Sequence, residues 1–131
     1  MSFIQGGINM GNLIGELSWT FYSECEVPSD ITESFIDGER AVAAYKTVRD
    51  VAVFTNKRLI VRDAQGLTGK KIEVYSLPYD SINMYSTENA GRMFDFNSEV
   101  QLFTRAGTIK INLNKKVDVR KFDRLLAEAI L

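Results

Sequence analysis

Val51-Ala52-Val53-Phe54-Thr55-Asn56-Lys57-Arg58-Leu59-Ile60-Val61 is the stretch on which the fold turns. Two short runs of β-branched and aromatic residues flank a four-residue polar break. Such runs favour a pleated, half-buried surface, and Asn tolerates the left-handed backbone of a tight turn, so the stretch reads as a β-hairpin. Apolar residues fall on both alternations of each run. A strand that faces water on one side does not do this, so the hairpin is expected to be buried on both faces or to twist strongly within a barrel.

The period of two extends outward from this hairpin. Residues 42–48, carrying Tyr45, read as a preceding strand, broken from the hairpin by Arg49-Asp50. On the other side, Asp63-Ala64-Gln65-Gly66-Leu67-Thr68-Gly69 is a glycine-marked loop. Ile72 and Val74 then alternate with Lys71, Glu73 and Tyr75 as far as Pro78, and Ile82 and Met84 alternate with Ser81, Asn83 and Tyr85. Asn89-Ala90-Gly91 turns the chain. A sixth strand runs from Phe94 through about Thr104, with a bulge or bend expected near Asn97-Ser98, and a seventh carries Ile109, Ile111 and Leu113. The last segment changes period. Val119, Phe122, Leu125, Leu126, Ala129 and Ile130 form one helical stripe, with Asp118 placed to cap it. Seven short strands with closely spaced turns, followed by an amphipathic helix, predict a mainly β domain: a partly open seven-stranded antiparallel barrel closed by its C-terminal helix.

The residues before Gly38 read differently. Leu13, Ile14, Leu17 and Phe21 sit at helical spacing with Asn12 as a candidate cap, and Pro28 ends that element. Ser29 or Asp30 then caps a short second helix through Ile31 and Phe35, and Asp37-Gly38 is a turn. The expected organisation is a helical N-terminal extension, residues 1–37, and a barrel domain, residues 38–131. The net charge of −1 hides an asymmetry between them. The extension holds six acids and no Lys or Arg, whereas all 16 basic residues lie beyond it, against 11 of the 17 acids. The halves carry −6 and +5 and are electrostatically complementary.

Composition narrows the chemistry. The chain has no His, which removes the commonest general base and the commonest zinc ligand together. Its one cysteine, Cys25, cannot form an internal disulfide and lacks a His partner, so it reads as a structural thiol. The start of the chain lacks the basic and apolar regions of a secretory leader, no stretch reaches the roughly 20 apolar residues that span a bilayer, and a cytoplasmic location is expected. Gly66-Leu67-Thr68-Gly69-Lys70-Lys71 fails as a phosphate loop. Ala64 stands where the motif needs Gly, Lys71 where it needs Ser or Thr, and a strand follows instead of a helix. Asp95 and Glu99 are two acids on one strand with no nucleophile motif beside them. No catalytic residue, metal ligand or cofactor site is assigned, and no nucleic-acid motif is present.

The middle of the chain resembles a known family. Ala44-Tyr45-Lys46, Arg49-Asp50, Phe54-Thr55-Asn56-Lys57-Arg58-Leu59-Ile60, Gln65-Gly66-Leu67-Thr68-Gly69-Lys70-Lys71, Ser76-Leu77-Pro78-Tyr79 and Glu88-Asn89-Ala90-Gly91 are similar to the prokaryotic pleckstrin-homology-like domains. The likeness covers about residue 38 to the C-terminus. It implies a seven-stranded, strongly bent barrel capped by the C-terminal helix, homo-oligomers or rings built through barrel edges and N-terminal helices, and no enzymatic activity. Eukaryotic phosphoinositide-binding relatives carry a basic loop between their first two strands. Arg49-Asp50 leaves almost no loop there, and Asp50 repels phosphate.

Two binding surfaces are expected. The acidic extension, through Leu13, Leu17, Trp19 and Phe21, is the candidate oligomer interface, since contrasting halves dock head to tail. Lys57, Arg58, Lys70 and Lys71 form the alternative, a basic patch for anionic lipid or an acidic protein. The leading expectation is a non-enzymatic, self-associating protein-binding domain; a peripheral membrane module is the second.

Overall fold

The computed structural model describes residues 17–65, 70–89 and 97–131. Among the described residues there are eight strands: β1 Ser18–Glu24, β2 Ala41–Thr47, β3 Val51–Thr55, β4 Arg58–Gln65, β5 Lys71–Pro78, β6 Ile82–Thr87, β7 Ser98–Thr104 and β8 Gly107–Leu113. Two helices, α1 Ser29–Thr32 and α2 Val119–Ile130, and a 3-10 turn, Tyr79–Ser81, complete the set. The strands form one sheet in the order β5-β4-β3-β2-β1-β8-β7-β6. Neighbours are antiparallel except β1 and β8, which run parallel, with Trp19 opposite Ile111 and Phe21 opposite Leu113. The sheet's two edges, β5 and β6, follow one another in sequence across the 3-10 turn but do not pair. The barrel is therefore partly open, as expected.

The seven expected strands correspond to β2–β8, the sixth of them from Ser98 onward, since its expected start at Phe94 and Phe96 lies outside the described residues; the eighth, β1, replaces an expected helix. The Leu13, Leu17, Phe21 spacing suggested a helix, but Ser18–Glu24 is extended, with Trp19 and Phe21 buried on one face and Ser18 and Tyr22 exposed on the other. Leu13 and Ile14 lie outside the described residues. The period-two alternation of Ser18-Trp19-Thr20-Phe21-Tyr22 and its aromatic and Thr content match a strand better than a helix. Tertiary pairing on both sides decides the matter, because β1 sits between β2 and β8.

The inner face of the sheet closes over an aromatic centre. Phe122, fully buried on α2, meets Tyr45, Phe54 and Phe21 at centroid distances of 5.4, 5.6 and 5.9 Å, all edge to face. Phe21 stacks on Tyr45 at 5.5 Å. Val119 and Leu126 enter the same core from α2, one helical face, as the stripe predicts. Asp118 caps the helix, its carboxylate accepting from the Lys121 backbone N–H at 3.1 Å.

A second, smaller core explains the hairpin's double burial. Residues 25–36 cross the outer face of β2–β4, where Ile31 packs with Ala44, Val51, Val53 and Ile60, flanked by Cys25, Val27 and Phe35. The inner alternation, Ala52, Phe54, Leu59 and Val61, belongs to the main core. The hairpin turn itself is built by Thr55 instead of a left-handed Asn56. The Thr55 hydroxyl accepts from the backbone N–H groups of Lys57 and Arg58, both at 3.0 Å. Asn56 instead fastens the preceding segment, accepting from the Arg40 N–H at 2.8 Å and donating to the Gly38 carbonyl. Gly38, at φ +80°, takes the left-handed conformation expected of the Asp37-Gly38 turn. The short helix expected at Ser29 exists as the four residues of α1, with Pro28 at its N-cap and no side-chain cap; the Thr32 and Ser34 hydroxyls instead bond carbonyls one turn back.

Candidate functional site

The side chains expected to form an oligomer interface lie largely inside the domain. Phe21 is fully buried and Trp19 is 7% exposed, both in the main core; Leu17 is partly buried against it, and Leu13 lies outside the described residues. A side chain with no accessible surface has none left to bury against a neighbour. Part of the charge asymmetry is also satisfied within the chain. Lys121 on α2 holds Glu24 of β1 at 3.0 Å, and Arg62 on β4 pairs with Asp30 of α1. The acidic extension thus contacts its own barrel through both charge and the second core.

The four basic residues do not converge. Lys57 follows β3, and Lys70 and Lys71 stand at the start of β5. In the β4–β5 ladder Arg58 faces Pro78 and Gln65 faces Lys71, which separates the two pairs by roughly 23 Å along the strands. Arg58 is, moreover, fully engaged. Its Nε donates to Glu39 Oε2 at 2.9 Å, its Nη2 to Glu39 Oε1 at 3.0 Å and its Nη1 to Ser76 Oγ at 2.9 Å. The Glu39 side chain has no solvent exposure and also accepts from the Thr55 hydroxyl at 2.7 Å. The Arg58 guanidinium holds the Glu39 carboxyl down to about 2. Tyr79, whose hydroxyl is pushed up by burial, donates to the Thr55 carbonyl at 2.6 Å and ties the 3-10 corner to the same group. Arg58 is a structural clasp between the extension, the hairpin and β5; the exposed lysines are Lys57, Lys70 and Lys71.

Arg49 and Asp50 each face an oppositely charged residue of β4 and do not pair with one another. Asp50 takes Arg62 Nη2 at 3.1 Å, and Arg49 approaches Asp63 at 3.7 Å. Burial pushes the Cys25 thiol up, away from the reactive thiolate. Glu99 accepts from Gln101 at 3.0 Å, and Asp95 and the Gly66–Gly69 loop lie outside the described residues. No group of three or more Cys, Asp or Glu suited to a metal occurs among the described residues, and no helix among them is long and apolar enough to cross a membrane.

What the sheet does present is two free edges. Among the described residues β5 pairs only with β4, and β6 only with β7. On the outer face of β5, Ile72 and Val74 are 58% and 54% exposed, and Met84 is exposed on β6.

With an open β-barrel capped by one helix in hand, comparison with known proteins places the fold. Residues 10–130 match the bacterial PH domain family. The chain belongs to this family. The PH domain is 45% identical over 103 residues to the uncharacterized protein YjqA of Bacillus subtilis strain 168, covering 79% of this chain and 75% of that one. It is 34% identical to a pleckstrin-homology protein of Shewanella loihica PV-4, whose crystal structure superposes with a TM-score of 0.73 over 83% of this chain and 97% of the other. A second crystal structure, the pleckstrin homology domain from Shewanella amazonensis SB2B, gives 36% identity and a TM-score of 0.63, covering 79% and 84% of the two chains. The features of this PH domain that the sequence left hidden are the Glu39–Arg58 clasp and the exposed β5 edge. The alternation of Ile72 and Val74 was visible, but not that their side faces outward and that nothing described pairs beyond them.

Proposed function

We propose that this PH domain is a non-enzymatic protein-binding module that self-associates through the free edge of β5. The observation that carries the proposal is an eight-residue strand that, among the described residues, pairs on one side only and presents two exposed aliphatic side chains. Such an edge is a template for pairing with another chain, and soluble proteins normally blunt it with charge or proline. Here Lys71, Glu73 and Pro78 supply charge and proline along the strand, while Ile72 and Val74 stay exposed on its outer face. Backbone hydrogen bonds supply affinity and alternate side chains supply specificity in this mode of recognition. The PH domain is built for binding through surface and edge; its arginines at positions 58 and 62 are committed to carboxylates of the same chain.

The test is the native mass of the full chain, with and without Ile72→Lys and Val74→Lys together. Lysine on an exposed edge strand opposes pairing and leaves the core untouched. The wild type is expected as a defined oligomer and the variant as a smaller species with an unchanged melting temperature. A monomeric wild type, or a variant with the wild-type mass, would refute the proposal.

A further inference from the structure

Buried polar side-chain atoms nearly always have a hydrogen-bond partner, so those that lack one point to something that binds them. Among the described residues four such atoms have none: Trp19 Nε1, Asp63 Oδ1, Thr87 Oγ1 and Ser98 Oγ. The first two line the same cavity, of about 360 Å³, at one end of the barrel. The wall is completed by Arg49, Thr47, Val61 and Tyr75 among others.

The strand register places these groups. Trp19 shares the inner face of β1 with Phe21 and stands edge to face with Tyr75 at 5.6 Å. Asp63 shares the inward alternation of β4 with Leu59 and Val61, which carries a carboxylate to the end of an apolar face. Arg49 from the β2–β3 turn pairs with it at 3.7 Å, an ion pair beyond hydrogen-bond range, and the Arg49 side chain is 56% exposed. The cavity therefore offers one buried N–H donor, one carboxylate oxygen without a donor and one guanidinium with donors free to turn inward.

This set selects a ligand by charge. A simple anion meets Arg49 and the indole N–H but is repelled by Asp63. A simple cation meets Asp63 but is repelled by Arg49. A molecule that carries both charges a few bonds apart satisfies all three groups, and charge-assisted hydrogen bonds of this kind are the strong ones. The volume is that of a small-molecule site, and its lining is largely polar, with Trp19, Val61 and Tyr75 in the apolar part of the wall. We propose that this cavity binds a small zwitterion of the α-amino-acid class, its ammonium on Asp63 and its carboxylate on Arg49 and Trp19 Nε1. Tyr75 reaches the cavity from the inner face of β5, on the alternation opposite to Ile72 and Val74, and binding there does not depend on self-association.

Trp19 is the only tryptophan in the chain, so a single indole N–H signal in a ¹H–¹⁵N spectrum reports on the proposed donor itself. The full-length protein is titrated with each standard α-amino acid, and with acetate, inorganic phosphate and ethylammonium as singly featured controls. At least one amino acid is expected to shift the indole signal saturably, while the controls do not. Asp63→Asn and, separately, Arg49→Gln are expected to weaken that binding by about tenfold or more, the loss of one charge-assisted hydrogen bond. Arg49 is mostly solvent-exposed, so its variant remains informative should Asp63→Asn fail to fold. No saturable shift with any amino acid means that the cavity holds only solvent, and the proposal fails. It fails equally if a control binds as well as the best amino acid, or if the folded variants bind as the wild type does.

Discussion

Replacing Glu39 by Gln removes the charge at the centre of the clasp while keeping its shape. The carboxylate accepts four hydrogen bonds: two from Arg58, at 2.9 and 3.0 Å, one from the Thr55 hydroxyl at 2.7 Å and one from the Ile36 N–H at 3.1 Å. A Gln oxygen can keep part of this set, but its amide nitrogen then faces a donor. Hydrogen bonds to charged groups contribute about 1.5–3 kcal/mol each, and Arg58 recovers some hydration because its side chain is 23% exposed. The net loss is about 2–4 kcal/mol, which lowers the melting temperature of a domain of this size by roughly 6–15 °C. The same group predicts a pH signature. Glu39 is lowered from 4.5 to about 2 in the folded protein, chiefly by Arg58. A carboxylate depressed on folding stabilises fully above its unfolded value, and that contribution fades as pH falls from about 4.5 toward 2. Urea unfolding of wild type and Glu39→Gln is therefore expected to show a large gap at neutral pH that narrows steadily in acid. The double cycle with Arg58→Gln is expected to return a clear coupling energy. A gap below about 0.5 kcal/mol at neutral pH, a gap that does not change with pH, or a coupling near zero would refute the reasoning.

Two further predictions rest on single positions. Phe122→Ala empties the centre of the aromatic cluster and is expected to cost about 3–5 kcal/mol in chemical denaturation, because the three surrounding rings come from three different strands and cannot collapse together. Gly38→Ala places a Cβ in open space, so any loss comes from the +80° φ alone and is expected to be about 1 kcal/mol by the same assay; a neutral result would mean that the turn relaxes.

The strand order after Gly38 was legible in the sequence because each strand there alternates cleanly or is apolar on both faces, and each turn except the one at Arg49-Asp50 carries Gly, Pro or Asn. The double burial of the 51–61 hairpin was legible too, although its cause, a layer of residues 25–36 on the outer face, was not. β1 was misread because four apolar residues happened to fall at helical spacing across its start. The competing alternation of Trp19 and Phe21 is short, and only pairing with β2 and β8 makes it decisive. Binding surfaces were the least legible. Lys57-Arg58 and Lys70-Lys71 look alike in sequence, but antiparallel pairing sends them to opposite ends of β4, and a carboxylate 19 residues upstream claims Arg58. Trp19, Arg49 and Asp63 carry no local signal of one another, because topology alone gathers them.

The position of β1 has a consequence for how the chain assembles. Strands β2–β5 are adjacent in sequence, as are β6–β8, so each group can form by local hairpins; among the described residues β1 alone hydrogen-bonds to both groups. Its partner β8 lies some 90 residues later, Ser18 opposite Lys110. Closing so long a loop is entropically costly and comes late in folding. During synthesis, which proceeds from the N-terminus, the first strand made must wait for the last before its second edge is covered. β1 is the keystone of the arch: set between two half-built sides, it locks them only when both have arrived.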